Sequence, residues 1–254
     1  MNALKVIQIT DLHLYANKST LVNNINTYES AQRIINSIAN IHKNINVLVL
    51  TGDLVHDESH EGYENLGELL QSITCPIFLV PGNHDSLSEI EQLSSRQNFF
   101  NDNFIVDGNW VVFMFNTKKD GCLEGILHEQ EIFNFEQLLS IYPEKNFLVF
   151  THHPLMAINS RWMDSMKVEN PEKVRSLVKN HPNIKCVSCG HVHQEFSGRL
   201  EGTRFFSTPS TCYQFKPRAE SFALDEKMSP GYRTFELQDD GVFKSEIVRV
   251  DKNL

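Results

Sequence analysis

The chain has 254 residues, 41% of them hydrophobic and 22% charged. That usage excludes a disordered chain, a collagen or a coiled coil, and at about 150 residues per domain the length permits one large domain or two small ones. Acidic residues outnumber basic ones 32 to 23, giving a net charge of −9, which disfavours generic binding to nucleic acid or to a membrane surface.

In chain order, Leu4–Ile9 reads as a buried strand and is followed by Asp11-Leu12-His13. Glu29 to Ile41 carries apolar residues at 31, 34, 35, 38 and 41, a helical stripe. Val47–Leu50 is a second strand and ends in Gly52-Asp53; Tyr63 to Ile73 repeats the helical spacing with Leu66, Leu69 and Leu70. Ile77–Val80 is a third strand and runs into Gly82-Asn83-His84-Asp85. Trp110–Phe115, Phe147–Phe150 and Cys186–Ser188 continue the series, with helices at about 129–141 and 171–180. After 195 the texture changes: Glu195–Leu200, Arg204–Ser207, Arg233–Leu237 and Val242–Val250 alternate as strands do. Strand–helix alternation followed by antiparallel strands predicts an α/β (α+β) fold, and without a linker it predicts one continuous domain over 1–254.

No apolar run reaches the ~18–20 residues that cross a bilayer. Met1–Thr10 has one lysine before its apolar run and does not read as a signal peptide. The five cysteines, at 75, 122, 186, 189 and 212, are odd in number, which suits reduced thiols and a cytoplasmic location. The single C-x-x-C at Cys186 and Cys189 reads as two small core residues.

Five post-strand loops begin with side chains that bind metals: Asp11 and His13, Asp53, Asn83, His152, and His191 with His193. In an open α/β sheet such loops converge on one crevice at the carboxyl ends of the strands. Two carboxylates, one amide oxygen and four imidazoles, with no thiolate, suit Fe, Mn, Co or Zn. Seven donors are too many for one ion and fit two if one donor bridges. A carboxylate has two oxygens, so Asp53 is the expected bridge, and two ions about 3.5–4 Å apart can hold a hydroxide and clamp a phosphate oxygen. Gly52, Gly82 and Gly190 each precede a donor at a sharp turn. The i and i+2 imidazoles of Gly190-His191-Val192-His193 would point the same way from extended backbone.

The ordered set D-x-H, G-D, G-N-H-D, H-x-P and G-H-x-H resembles the calcineurin-like metallophosphoesterase superfamily over residues 5–193. The protein Ser/Thr phosphatase branch differs at Val55-His56-Asp57, and the purple acid phosphatase branch requires a tyrosine that does not follow Asp53. Thr27-Tyr28-Glu29-Ser30, Cys189 to Glu195, Thr208 to Pro217 and Pro230 to Thr234 resemble the bacterial class III cyclic-nucleotide phosphodiesterases. This likeness implies a β-sandwich flanked by helices, with 195–254 completing the second sheet and covering the site. It implies hydrolysis of 3′,5′-cyclic AMP to 5′-AMP by a metal-bridged hydroxide, with two transition-metal ions, Fe and/or Mn. One ion would take Asp11, His13, Asp53 and His193; the other would take Asp53, Asn83, His152 and His191. His13, Asp53, Asn83, His84 and His193 would face the nucleotide. His84 would touch a phosphate oxygen or protonate the leaving oxygen.

Around that set, His153 reads as a loop residue beside the ligands. Asp85 either orients His84 or caps its turn. Arg161-Trp162-Met163-Asp164 could form a wall for the base or plain packing, and Thr208 to Tyr213 could close over the cleft. Lys216 and Arg218 fit a phosphate contact or a solvated turn. His56, His60, His128 and His181 read as surface residues. A broader phosphodiesterase or phosphomonoesterase, or a non-catalytic scaffold on the same fold, are the competing readings. The residue pattern carries no signal for oligomeric state.

Overall fold

The structure, a computed structural model, describes residues 3–251; the ends of the stretches Met1–Thr10 and 195–254 lie outside the described residues. Two six-stranded sheets stack face to face. The first runs Phe243–Arg249, Gly231–Leu237, Leu4–Ile9, Val47–Thr51, Ile77–Val80, Phe99–Phe100 from edge to edge. The second runs Phe196–Leu200, Thr203–Ser207, Ile184–Cys189, Asn146–Thr151, Trp110–Met114, Phe104–Asp107. At the centre of each sheet the strands are parallel, with Ile7 beside Leu48, Leu50 beside Leu79, and Phe150 beside Ser188.

Central strands buried on both faces need apolar residues at nearly every position. Leu4–Ile9, Val47–Thr51 and Asn146–Thr151 meet that demand. Between the sheets lie Val6, Val49, Phe78, Val112, Phe150, Cys186 and Phe235. Helices Thr27–Ile41, His60–Leu70 and Leu87–Ser94 cover the outer face of the first sheet through Ile34, Ile38, Leu66 and Ile90. Glu129–Ile141 and Glu172–Asn180 cover the second through Phe135, Leu139 and Val174. The result is the expected sandwich flanked by helices.

The strand-rich C-terminal part is divided between the sheets. Phe196–Leu200 and Thr203–Ser207 extend the second sheet. Gly231–Leu237 instead pairs antiparallel with Leu4–Ile9 and brings Phe243–Arg249 to the edge of the first sheet.

Several element ends move for local reasons. The first helix starts at Thr27 because the Asn26 side chain accepts from Glu29 N. Its last apolar residue, Ile41, is exposed. The second begins at His60, capped by Ser59, and ends at Leu70. Helix Leu87–Ser94 was not anticipated; Ser86 caps it by accepting from Glu89 N, an S-x-x-E signature readable in the sequence.

The C-x-x-C pair sits in the core as expected. Cys186 faces the layer between the sheets and Cys189 the helix side, so the two thiols cannot share a ligand. All five cysteines are free thiols. Among the described residues no helix is long and apolar enough to cross a membrane.

Candidate metal centre

The candidate donors stand at the carboxyl ends of five parallel strands, two from the second sheet and three from the first. Asp11 and His13 follow Leu4–Ile9, Asp53 follows Val47–Thr51, and Asn83 and His84 follow Ile77–Val80. His152 follows Asn146–Thr151, and His191 and His193 follow Ile184–Cys189. The loops are laced together by backbone bonds: Asp11 N to Gly52 O at 2.9 Å, His13 N to Asp53 O at 2.9 Å, Gly190 N to His152 O at 3.0 Å.

Five of the seven donors have left-handed backbone: Asp11 (φ 54°), His13 (46°), Asp53 (51°), His191 (68°) and His193 (45°). Each such non-glycine residue costs about 1–2 kcal/mol, and strain of this kind concentrates where a site over-determines its geometry. It also corrects the sequence expectation for His191 and His193. They do not point the same way from extended backbone; they turn into two different donor groups.

In one group the His13 Nε2 lies 3.0 Å from His193 Nε2 and 3.7 Å from Asp53 Oδ2. His193 Nε2 is 3.4 Å from Asp11 Oδ1. In the other, His152 Nε2 lies 3.4 Å from Asp53 Oδ1, 3.2 Å from Asn83 Oδ1 and 3.2 Å from His191 Nδ1. Asp53 therefore turns one oxygen to each group. Outward-facing nitrogens are tied down: His152 Nδ1 is 2.7 Å from Thr51 O, and His193 Nδ1 is 3.0 Å from Tyr213 O. In the neutral ring, a nitrogen that donates to a carbonyl leaves its opposite nitrogen as a lone pair, the form a metal ligand needs.

These nitrogens and carboxylate oxygens meet in buried space; Asp11 and His152 have no exposed surface, and His191 Nε2 is buried without a hydrogen-bond partner. Nitrogens and carboxylate oxygens converging in buried space are what a cation needs, and the N/O donor set fits two metal ions.

Without an ion, a proton on His152 takes the cation's place beside Asp53. Burial opposes charging His152, but the Asp53 carboxylate, helped by Asp11, outweighs it and holds the imidazole up at about 9. Burial would raise Asp53, but His152 and His13 hold it well below the usual carboxylate range. Burial holds His191 well below its ordinary value, and the His152 imidazole adds to the effect.

Gly52 and Gly82 make room for this packing. Gly52 has φ 92°, and a Cβ there would overlap the His152 ring. A Cβ on Gly82 would overlap the Asp53 backbone nitrogen and carboxylate.

Asn83 and His84 are half-buried, at the rim, and His84 N donates to Asp53 Oδ1 at 3.0 Å. Asp85 does not orient the His84 ring. It accepts from Leu54 N, Val55 N, Gly82 N and Tyr63 OH at 2.8–3.1 Å, the turn-capping alternative. Burial, with Asp53 nearby, pushes its carboxyl up to about 6.

Thr208 to Tyr213 braces the site from within. Ser210 Oγ donates to Asp11 O at 2.8 Å and Thr211 N to Thr10 O at 3.1 Å, and both residues are buried. Thr27 and Ser30 anchor the first helix to the same loops, donating to His13 O and Thr211 O.

Trp162 packs on Phe215 (centroids 5.0 Å apart) and Phe222 (5.4 Å), and Phe215 stacks on His193 at 4.3 Å. Lys216 and Arg218 are exposed. His153 is fully buried, 2.8 Å from Thr117 Oγ1 and with its ring 4.7 Å from that of His191. His60 and His128 are exposed as expected.

Two neighbours of the site were missed. His56, read as a surface residue, places its Nδ1 3.0 Å from His13 Nδ1 and stacks on His84 at 4.2 Å. Its position three residues after Asp53 was the available signal. Lys118 Nζ donates to Asn83 O at 3.0 Å, and no local pattern announces it.

A donor set on five strand ends of a two-sheet sandwich invites comparison with known proteins. In sequence the chain is 32% identical to the 3′,5′-cyclic adenosine monophosphate phosphodiesterase CpdA of Escherichia coli K12, over 97% of this chain and 90% of that one. It is 30% identical to a 3′,5′-cyclic-nucleotide phosphodiesterase of Nostoc sp., over 99% of this chain and 94% of the relative. In structure it is similar to a dimetal phosphatase from Danio rerio, with a TM-score of 0.68 at 13% identity, covering 98% of this chain and 99% of the other. The calcineurin-like phosphoesterase profile matches residues 4–195, the span that carries every donor named above. The chain therefore belongs to the calcineurin-like phosphoesterase family.

Proposed function

We propose that this protein hydrolyses 3′,5′-cyclic AMP to 5′-AMP. The observation that carries the reading is the reach of the similarity. Cyclic-nucleotide phosphodiesterases match nearly the whole chain, including the part after residue 195 that the family profile leaves out. That part contains Ser210, Thr211 and Tyr213, which hold the Asp11 and His193 loops in place.

Asp11, His13, Asp53 and His193 would hold one metal ion, and Asp53, Asn83, His152 and His191 the other. When bound, the two ions supply a nucleophile from water at neutral pH and neutralise charge on the phosphate oxygens. Fe and/or Mn are the ions we favour, with Zn or Co possible on the same donors. Thiolate does not compete: burial pushes the Cys212 thiol, beside Asp11 O, up to about 12.

The protein's own groups do the remaining work. Asn83 and His84, half-buried at the rim, meet the cyclic phosphate. Water adds across the bond between phosphorus and the 3′ oxygen; the oxygen joins phosphorus and a proton goes to the departing 3′ oxygen. His84 would supply that proton or bind a phosphate oxygen, and its backbone bond to Asp53, which ties its loop to the donor groups, supports the reading. A substrate with one phosphate needs no basic surface, in keeping with the net charge of −9. The five free thiols support a place in the reducing cytoplasm.

The test is turnover of 3′,5′-cyclic AMP by metal-reconstituted protein against 2′,3′-cyclic AMP, cyclic GMP and bis(p-nitrophenyl) phosphate. Preference for the nitrophenyl ester over every cyclic nucleotide would favour a broader phosphodiesterase instead.

A further inference from the structure

Each imidazole of the donor groups needs its ring held in one orientation and one tautomer. For His152 and His193 the outward Nδ1 meets a backbone carbonyl, Thr51 O and Tyr213 O. His13 differs. Its Nε2 faces Asp53 and His193 and would take the ion; with an ion there its proton belongs on Nδ1, and that nitrogen faces the Nδ1 of His56 at 3.0 Å. Among the described residues no carbonyl or carboxylate is bonded to it.

His56 is itself fixed. Its backbone N donates to Leu14 O at 2.8 Å, and Leu14 N donates to Leu54 O at 3.0 Å. This short ladder locks the loop of His56 to the loop of His13. The other side of the His56 ring stacks on His84 at 4.2 Å and 23°. Tyr15 packs against it, centroids 5.1 Å apart.

We infer that His56 is a positioning residue: its Nδ1 accepts the Nδ1–H of His13, aiming His13 Nε2 at the metal group, while its ring holds His84 at the rim. The inference rests on the proposed dimetal reading. It joins the residue that holds an ion to the residue that meets the phosphate through one side chain. A third ion among His13, His56 and His84, whose nitrogens also cluster, would require His13 to give up both of its protons.

The test uses the full chain, stripped of metal and reloaded with Mn²⁺, as wild type and as His56→Ala, His56→Asn and His56→Gln. Stoichiometry and the two affinities are read by competition with a chelator, beside kcat and KM. His56→Ala is expected to weaken one ion by about 10–100-fold, the usual cost of losing a partner that orients a ligand. Asn places its amide oxygen where Nδ1 sits and should recover most of that loss; Gln reaches the Nε2 position and should not. A residue that only supports the fold would not separate Asn from Gln. Unchanged affinities in His56→Ala, equal rescue by both amides, or a third Mn²⁺ lost with His56 would overturn the inference. Wild-type protein holding fewer than two ions would overturn the dimetal reading with it. Two ions held without turnover of cyclic AMP would count against the substrate alone, and the affinities would still decide the role of His56.

Discussion

His13 and His193, 180 positions apart in the chain, bring their Nε2 atoms to 3.0 Å from each other. The Nδ1 of His193 is committed to Tyr213 O, so its Nε2 presents a lone pair. The Asp53 and Asp11 carboxylates close the same space at 3.7 and 3.4 Å. Two imidazole nitrogens and two carboxylates converging on one buried space make a donor set for a cation, and the fold holds left-handed backbone at both histidines to build it.

His84→Ala should keep both metal ions and lower kcat by about 10²–10⁴-fold, the usual share of a positioned acid–base group. Metal analysis beside steady-state kinetics checks this. Loss of an ion in the variant would make His84 a ligand.

Asp53 turns Oδ1 to His152 and Oδ2 to His13. Asp53→Asn replaces one of those oxygens by a donor that cannot bind a cation, so metal content should fall from about two ions to about one. Two ions retained at wild-type affinity would remove Asp53 from the bridging position.

Without metal, His152 titrates at about 9 and is charged at neutral pH. A ligand imidazole must be neutral, so ion uptake at pH 7.5 should release a proton, and the release should fade as pH rises through about 9. Calorimetry in buffers of different ionisation enthalpy reads this directly. The same raised pKa stabilises the metal-free fold fully below the unfolded value of about 6.5 and is lost as pH rises through about 9. The metal-free protein should therefore melt lower at pH 10 than at pH 6.

Gly52→Ala puts a Cβ at φ 92° into the His152 ring. The strain should cost about 2 kcal/mol or more and displace His152. A lowered Tm with weakened metal binding is the expected pair of results. A wild-type Tm would show that the loop relaxes without cost.

The layers of the fold were legible because hydrophobic runs and periodicity report burial. Val47–Leu50 reads as a strand, and the structure has one over Val47–Thr51, buried at every position. The candidate donors stood out in the sequence because each follows such a run within a few residues. Phe99–Phe100 and Phe104–Asp107 did not, since edge strands this short carry too few residues for a period to show. The departure of Gly231–Leu237 to the first sheet is a long-range pairing with Leu4–Ile9, which local pattern does not encode. The left-handed turns at His191 and His193 overrode the alternation that an extended strand end would have given. His56 was hidden for a related reason: its partner, His13, lies 43 positions away and is reached only through the ladder between two loops.

The most direct test is kcat/KM of the metal-reconstituted protein for 3′,5′-cyclic AMP, with the metal-free protein as control. A metal-dependent value near or above ~10⁴ M⁻¹s⁻¹, higher than for 2′,3′-cyclic AMP and bis(p-nitrophenyl) phosphate, is the predicted result. Activity that survives metal removal would contradict the dimetal site. Turnover of the nitrophenyl ester without turnover of any cyclic nucleotide would contradict the substrate.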